Sequence, residues 1–111
     1  MDLFEVIIAP EAVEQLNACV QYIRCTLMNP SAAESVYEDA IETGAELAVV
    51  AGNLKLCENR KLKRYGYRII SFRRHQYVMI YRTEGQFAYV DGIFHQKQDY
   101  EHLFAKSHDL R

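Results

Sequence analysis

A chain of 111 residues, half of them hydrophobic, is long enough for one self-standing core and too apolar to stay disordered. It has no apolar run of about 18 residues to span a membrane, and no basic-then-apolar opening to act as a secretory leader. The net charge of −2 hides a polarity: residues 1–54 hold nine carboxylates against Arg24 alone, while residues 55–74 hold eight cations against Glu58 alone.

Residues 3–8, LFEVII, read as a first strand rich in β-branched side chains. Pro10 suits the first position of a helix, where its missing N–H would be unpaired anyway, and Glu11 and Glu14 favour the positive end of the helix dipole. Val13, Leu16, Val20, Ile23 and Leu27 recur at helical spacing and predict one buried stripe. Met28-Asn29-Pro30-Ser31 breaks this helix and starts a second. Either Asn29 caps it with Pro30 at the first position, or Ser31 caps it with Glu34 closing a capping box. Ala33, Val36, Tyr37, Ala40, Ile41, Gly44, Leu47 and Ala48 form the second stripe, with the acidic residues mostly on the opposite face. So short a connection predicts an antiparallel helical hairpin. Ala51-Gly52-Asn53 ends it, with Gly52 as the C-terminal cap.

Residues 54–65 form a basic connection without clear periodicity, long enough to suggest a functional or mobile segment. Residues 66–100 then read as three strands in a meander. The run Tyr77-Val78-Met79-Ile80-Tyr81 suits a central strand covered on both faces. One turn is Thr83-Glu84-Gly85-Gln86, with Gly85 free to take positive φ. The other is Arg73-Arg74-His75-Gln76, where His75 reads as a solvated turn residue. Residues 98–106 form a short helix or tail docking through Tyr100, Leu103 and Phe104, and the end from His108 onward is expected to fray. The fold expected is one α+β domain over residues 1–111, an N-terminal strand and a helical hairpin packed on a mainly antiparallel sheet, in the order β-α-α-β-β-β.

Cys19, Cys25 and Cys57 make neither a CxxC pair nor a disulfide framework, which fits a reduced, cytoplasmic protein with small buried thiols. No Cys/His spacing predicts a metal, and no cofactor is expected. The basic block can gather a positive field able to attract phosphates. Lys61, Lys63, Arg64, Arg68, Arg73 and Arg74 are the candidate contacts, with Tyr100 able to stack on a base. His95 is the histidine best placed for acid–base work.

The order of elements, together with VIIAPEAVEQL, MNPSAAESV, KLKRYGYRIISF and QYVMIYRTEGQFAYVDGIFHQKQDYEHLF, resembles the RelE/ParE superfamily of bacterial toxins from type II toxin–antitoxin modules, over about residues 3–104. That resemblance implies a growth inhibitor neutralised by a cognate antitoxin, in a toxin–antitoxin hetero-oligomer. It implies one of two targets. A RelE-like member cuts messenger RNA on the ribosome, with His95, Arg68 and Arg73 as the catalytic set. A ParE-like member inhibits DNA gyrase without nuclease chemistry. The RelE pattern has a further Arg in the third strand, where this chain has Gln76-Tyr77-Val78-Met79, and another in the tail, where it has Gln98-Asp99. His95 with Asp99 looks more like the ParE tail, in which the pair ties down the chain end. The ParE-like activity is therefore favoured over the nuclease. A toxin that has lost its activity and only binds antitoxin is the third reading. Tyr37, Tyr65, Tyr89 and Phe104 are candidate antitoxin contacts wherever they are exposed, beside a free sheet edge.

Overall fold

The computed structural model describes residues 3–108. Strand β1 (Glu5–Ile8) leads into α1 (Pro10–Gln21), which widens into a π-helical turn over Tyr22–Thr26. Then come α2 (Pro30–Val50), α3 (Arg60–Arg64), β2 (Arg68–Ser71), β3 (Tyr77–Glu84), β4 (Phe87–His95) and α4 (Tyr100–Ser107). The strand order is β1-β4-β3-β2. β1 runs parallel to β4 and the other two pairings are antiparallel, so the sheet is the mainly antiparallel one expected.

Period-two alternation sorts the central strand between two cores. Met79 and Tyr81 of β3 face the α1–α2 hairpin and pack with Leu16, Val36, Leu47 and Val90. Val78 and Ile80 face the other way and pack with Leu62 of α3 and Phe104 of α4. The helical hairpin is thus the cover foreseen for one face, while α3 and α4 close the second. Phe104 is fully buried and meets Tyr67 edge-on at 4.9 Å and Phe94 at 6.4 Å between ring centroids. Burial of one such ring stabilises by about 2–3 kcal/mol. Gly92 makes room for that cluster, since a Cβ there would lie 2.7 Å from the Phe94 ring and 3.0 Å from Phe104.

Local signals decide most boundaries. Asn29 caps α2 by accepting from the Ala32 N–H at 3.1 Å with Pro30 at the first position, which resolves the two capping alternatives. Gly85 turns β3 into β4 with φ of 58°. Gly52 does not adopt positive φ; instead the Asn53 N–H closes a turn on the Val50 carbonyl at 2.9 Å. The connection after α2 is more ordered than its composition suggests. Leu56 bridges to Arg68, the Cys57 N–H bonds the Tyr67 carbonyl, and Asn59 caps α3 through the N–H groups of Lys61 and Leu62.

The helical stripes need correction. In α1 the buried residues are Ala12, Leu16 and Val20, and Val13 lies exposed at the edge of that face; Leu27 is exposed because the π turn rotates the chain after Gln21. In α2, Tyr37 and Ile41 are exposed and Asp39 and Thr43 are buried in their place. Leu103 is exposed and Ala105 docks instead. Of the cysteines only Cys57 is buried; Cys19 is half-buried and Cys25 exposed. His108 packs on Phe104 with centroids 3.9 Å apart, while the expected fraying beyond it lies outside the described residues. Among the described residues no helix is long and apolar enough to cross a membrane.

Candidate functional site

The β2–β3 turn is built on a carboxylate that sequence reasoning passed over. Asp39 is fully buried on α2. Its Oδ1 accepts from the Arg73 N–H at 3.0 Å, and its Oδ2 accepts from the N–H groups of Arg74 and His75, both at 2.9 Å. The same Oδ2 lies 2.7 Å from His75 Nδ1, and the other ring nitrogen lies 3.4 Å from Ser35 Oγ. Burial raises the Asp39 pKa, but the His75 ring and the three backbone N–H groups more than offset that and hold it below the ordinary carboxylate value. His75 is therefore a partly buried hydrogen-bond partner of Asp39 rather than a solvated turn residue. The helical position of Asp39 was readable, three after Val36 and four before Thr43. Its partners in the turn lie more than thirty residues away, and no local pattern announces them.

Two cations of this turn stand beside half-exposed carboxylates of α2. Arg74 Nη1 lies 2.5 Å from Glu42 Oε2, and Arg73 Nε lies 3.8 Å from Glu46 Oε2. His95 stands nearby at the end of β4, across the sheet from Tyr77 and edge-on to its ring at 5.1 Å. His95 Nδ1 accepts from the Lys97 N–H at 3.0 Å. The chain end is tied by Gln98, whose Oε1 accepts from the His95 N–H at 3.0 Å, and not by an Asp99 contact to the ring.

Arg68 is elsewhere. It opens β2 opposite Tyr81, with Nη1 donating to the Leu54 carbonyl. His95 lies opposite Tyr77. The two positions are four residues apart along β3, about 13 Å at the rise of a strand. Ile70 and Phe72, which follow Arg68 in the chain, and Met79 and Tyr81 on the intervening stretch of β3 are buried in the first core. Burial lifts the Tyr81 hydroxyl to about 12, with Arg68 pulling the other way, and its O–H donates to the Ala51 carbonyl at 2.7 Å. Arg73 and His95 thus share one end of the sheet, and Arg68 is separated from both.

The remaining candidates sit behind the opposite face. Lys61, Lys63 and Arg64 lie exposed on α3, fanned around the arc opposite buried Leu62. Tyr100 opens α4 and packs against the second core. Burial raises its pKa, helped by the nearby Glu101, Cys57 and Glu58. Arg60, Lys61 and Lys63 form no ion pair among the described residues, in contrast to the carboxylate-paired Arg73 and Arg74. Two apolar grooves flank the helical hairpin. One lies between α1 and α2 and is lined by Val13, Leu16, Tyr37 and Ile41. The other lies at the α1–α2 corner against the β2–β3 turn. Tyr37 and Tyr65 are exposed, Tyr89 is half-buried under the Arg82 guanidinium at 4.6 Å, and Phe104 is removed from the antitoxin candidates by its burial.

Comparison with known proteins adds two findings. A solved structure described as "Chromosomal ParDE TA system from P. aeruginosa" superposes with a TM-score of 0.70 at 19% identity, covering 84% of this chain and 96% of that one. At this identity the match establishes the shared fold. No curated protein sequence matches the chain. The sequence profile described as "ParE toxin of type II toxin-antitoxin system, parDE" matches residues 6–100, nearly the whole described fold, and the chain belongs to that toxin family.

Proposed function

We propose that this toxin arrests growth by inhibiting DNA gyrase, without cutting nucleic acid, and that a cognate antitoxin holds it inactive in a hetero-oligomer. The observation that carries the proposal is the separation of Arg68 from His95 along the sheet, one opposite Tyr81 and the other opposite Tyr77. A metal-free ribonuclease needs its acid, base and phosphate clamp around one phosphate. Here the expected clamp, Arg68, is spent on a backbone carbonyl, and Arg73 and Arg74 are engaged with Glu46 and Glu42. Membership of the ParE family supports the same choice. The antitoxin is expected to lay an apolar helix face into the groove between α1 and α2, where Tyr37 and Ile41 stand exposed.

The test is tightly controlled expression with messenger RNA and DNA supercoiling followed in the same cultures. Gyrase-dependent DNA damage and filamentation with intact messages is the expected result. Rapid cleavage of translated messages with unchanged supercoiling would overturn it in favour of a ribosome-dependent endoribonuclease. Normal growth of cells holding folded protein would leave a toxin reduced to antitoxin binding.

A further inference from the structure

The corner between α1 and α2 departs from the rest of the fold in three ways. The helix widens into a π turn over Tyr22–Thr26, a rare geometry that recurs at functional sites. Met28 has φ of 52°, a left-handed conformation that a helix end normally gives to glycine. Tyr22, Leu27 and Met28 are 56%, 56% and 82% exposed, so three large apolar side chains crowd one corner in water. An exposed methionine on a strained backbone adds nothing to the core. Exposed apolar clusters mark protein contacts, and methionine is the side chain that adapts best to them.

Beside these residues opens a groove of about 420 Å³. Ile23, Leu27, Val36 and Tyr77 give it an apolar floor, and Arg74, His75 and His95 stand along its far side. Arg74 is paired with Glu42 and His75 with Asp39, so the positive charge beside the groove comes from Arg24 and Lys97. Arg24 lies in the π turn and Lys97 just past His95; both are exposed, and neither forms an ion pair among the described residues. The groove on the other flank of the hairpin has the opposite rim, since Glu14, Glu34 and Glu38 are exposed beside Val13, Tyr37 and Ile41. One kind of segment does not suit both rims.

We infer that the corner groove is the face with which the toxin grips its protein target, through a target segment that carries an apolar anchor flanked by carboxylates. The groove between α1 and α2 then remains for the antitoxin, so toxicity and neutralisation reside on separate surfaces. The inference rests on the reading of the chain as a toxin with a protein target.

Met28→Glu and Met28→Lys form a matched pair, because both keep the same backbone strain and remove the same side chain. Arg24→Glu completes the set. The assay is inhibition of plasmid supercoiling by purified DNA gyrase, with thermal unfolding as the check on folding. Met28→Glu and Arg24→Glu are expected to raise the half-inhibitory concentration at least tenfold, and Met28→Lys to stay within threefold of the parent, with unfolding temperatures unchanged. A folded Met28→Glu as potent as the parent would overturn the face. Equal losses for Met28→Glu and Met28→Lys would overturn the acidic occupant. Loss of antitoxin binding with toxicity intact would assign the corner to the antitoxin and overturn the proposal. If the parent protein leaves gyrase untouched, the gyrase reading alone fails. The same variants then decide in a growth assay: Met28→Glu that still arrests growth overturns the face, and one that does not supports it with a different protein target.

Discussion

Asp39 and His75 are joined at 2.7 Å across 36 positions of sequence, and that one carboxylate also receives the N–H groups of Arg73, Arg74 and His75. The contact fastens the β2–β3 turn to the middle of α2. Asp39→Ala leaves three turn N–H groups without their acceptor and is expected to destabilise the fold by about 3 kcal/mol or more. Ser35→Ala removes only the 3.4 Å contact to the ring and should cost well under 1 kcal/mol. Urea unfolding of the two variants checks the ratio. Similar losses for both would show that the carboxylate does not carry the turn.

The same group gives the stability an acid limb. The Asp39 pKa is lowered on folding, so its contribution is fully present above the unfolded value of about 4 and is lost as pH falls through the folded value. Stability should fall more steeply below about pH 4 in the parent than in Asp39→Asn, whose side chain does not titrate. Unfolding free energies measured between pH 2 and 7 give the two curves. Parallel curves would mean that other carboxylates own the acid limb.

Gly92 should resist substitution although it lies in a strand, where glycine is ordinarily unfavourable. Alanine there would bring a methyl to 2.7 Å of the Phe94 ring and 3.0 Å of Phe104. Phe104 is fully buried and already packed edge-on against Tyr67 and Phe94. Gly92→Ala is therefore expected to destabilise by about 1–3 kcal/mol through overpacking. Gly44→Ala, where no atom lies within 4 Å of the added methyl, should be neutral or stabilising by up to about 1 kcal/mol. Thermal melts of the pair measure the contrast.

Elements whose reasons are local could be read from the sequence. Pro10 and Pro30 start helices, Gly85 turns a hairpin, and the apolar run of β3 occupies the centre of the sheet. The errors lie where the reason is distant or irregular. The π turn broke a stripe that reads as continuous from Val13 to Leu27, because hydrophobic spacing carries no mark of an extra residue in a helical turn. α3 was hidden because five residues with one buried leucine show no periodicity; its stability comes from Asn59 and from packing against α4. The site followed the same rule. The residues His95, Arg73 and Arg68 could be named from the chain, yet whether they meet depends on register. Register places Arg68 opposite Tyr81 and His95 opposite Tyr77.

Arg68→Met tests that register directly. Methionine keeps an apolar stem along the sheet rim and loses the guanidinium that donates to the Leu54 carbonyl. Loss of a charge-assisted hydrogen bond at a half-buried position should cost about 1–2 kcal/mol of stability. A nuclease that clamps phosphate with Arg68 would in addition lose activity by a large factor, since such cations act chiefly on the charge that develops during reaction. Here Arg68 stands at the far end of the sheet from His95 and from the corner groove, so growth inhibition per folded molecule should be unchanged. Folded protein is to be quantified at a temperature well below the melting transition, and growth inhibition normalised to it. Unchanged toxicity with a lowered melting temperature makes Arg68 a structural residue. A folded Arg68→Met that no longer inhibits growth would return the arginine to the functional site and reopen the case for phosphate chemistry.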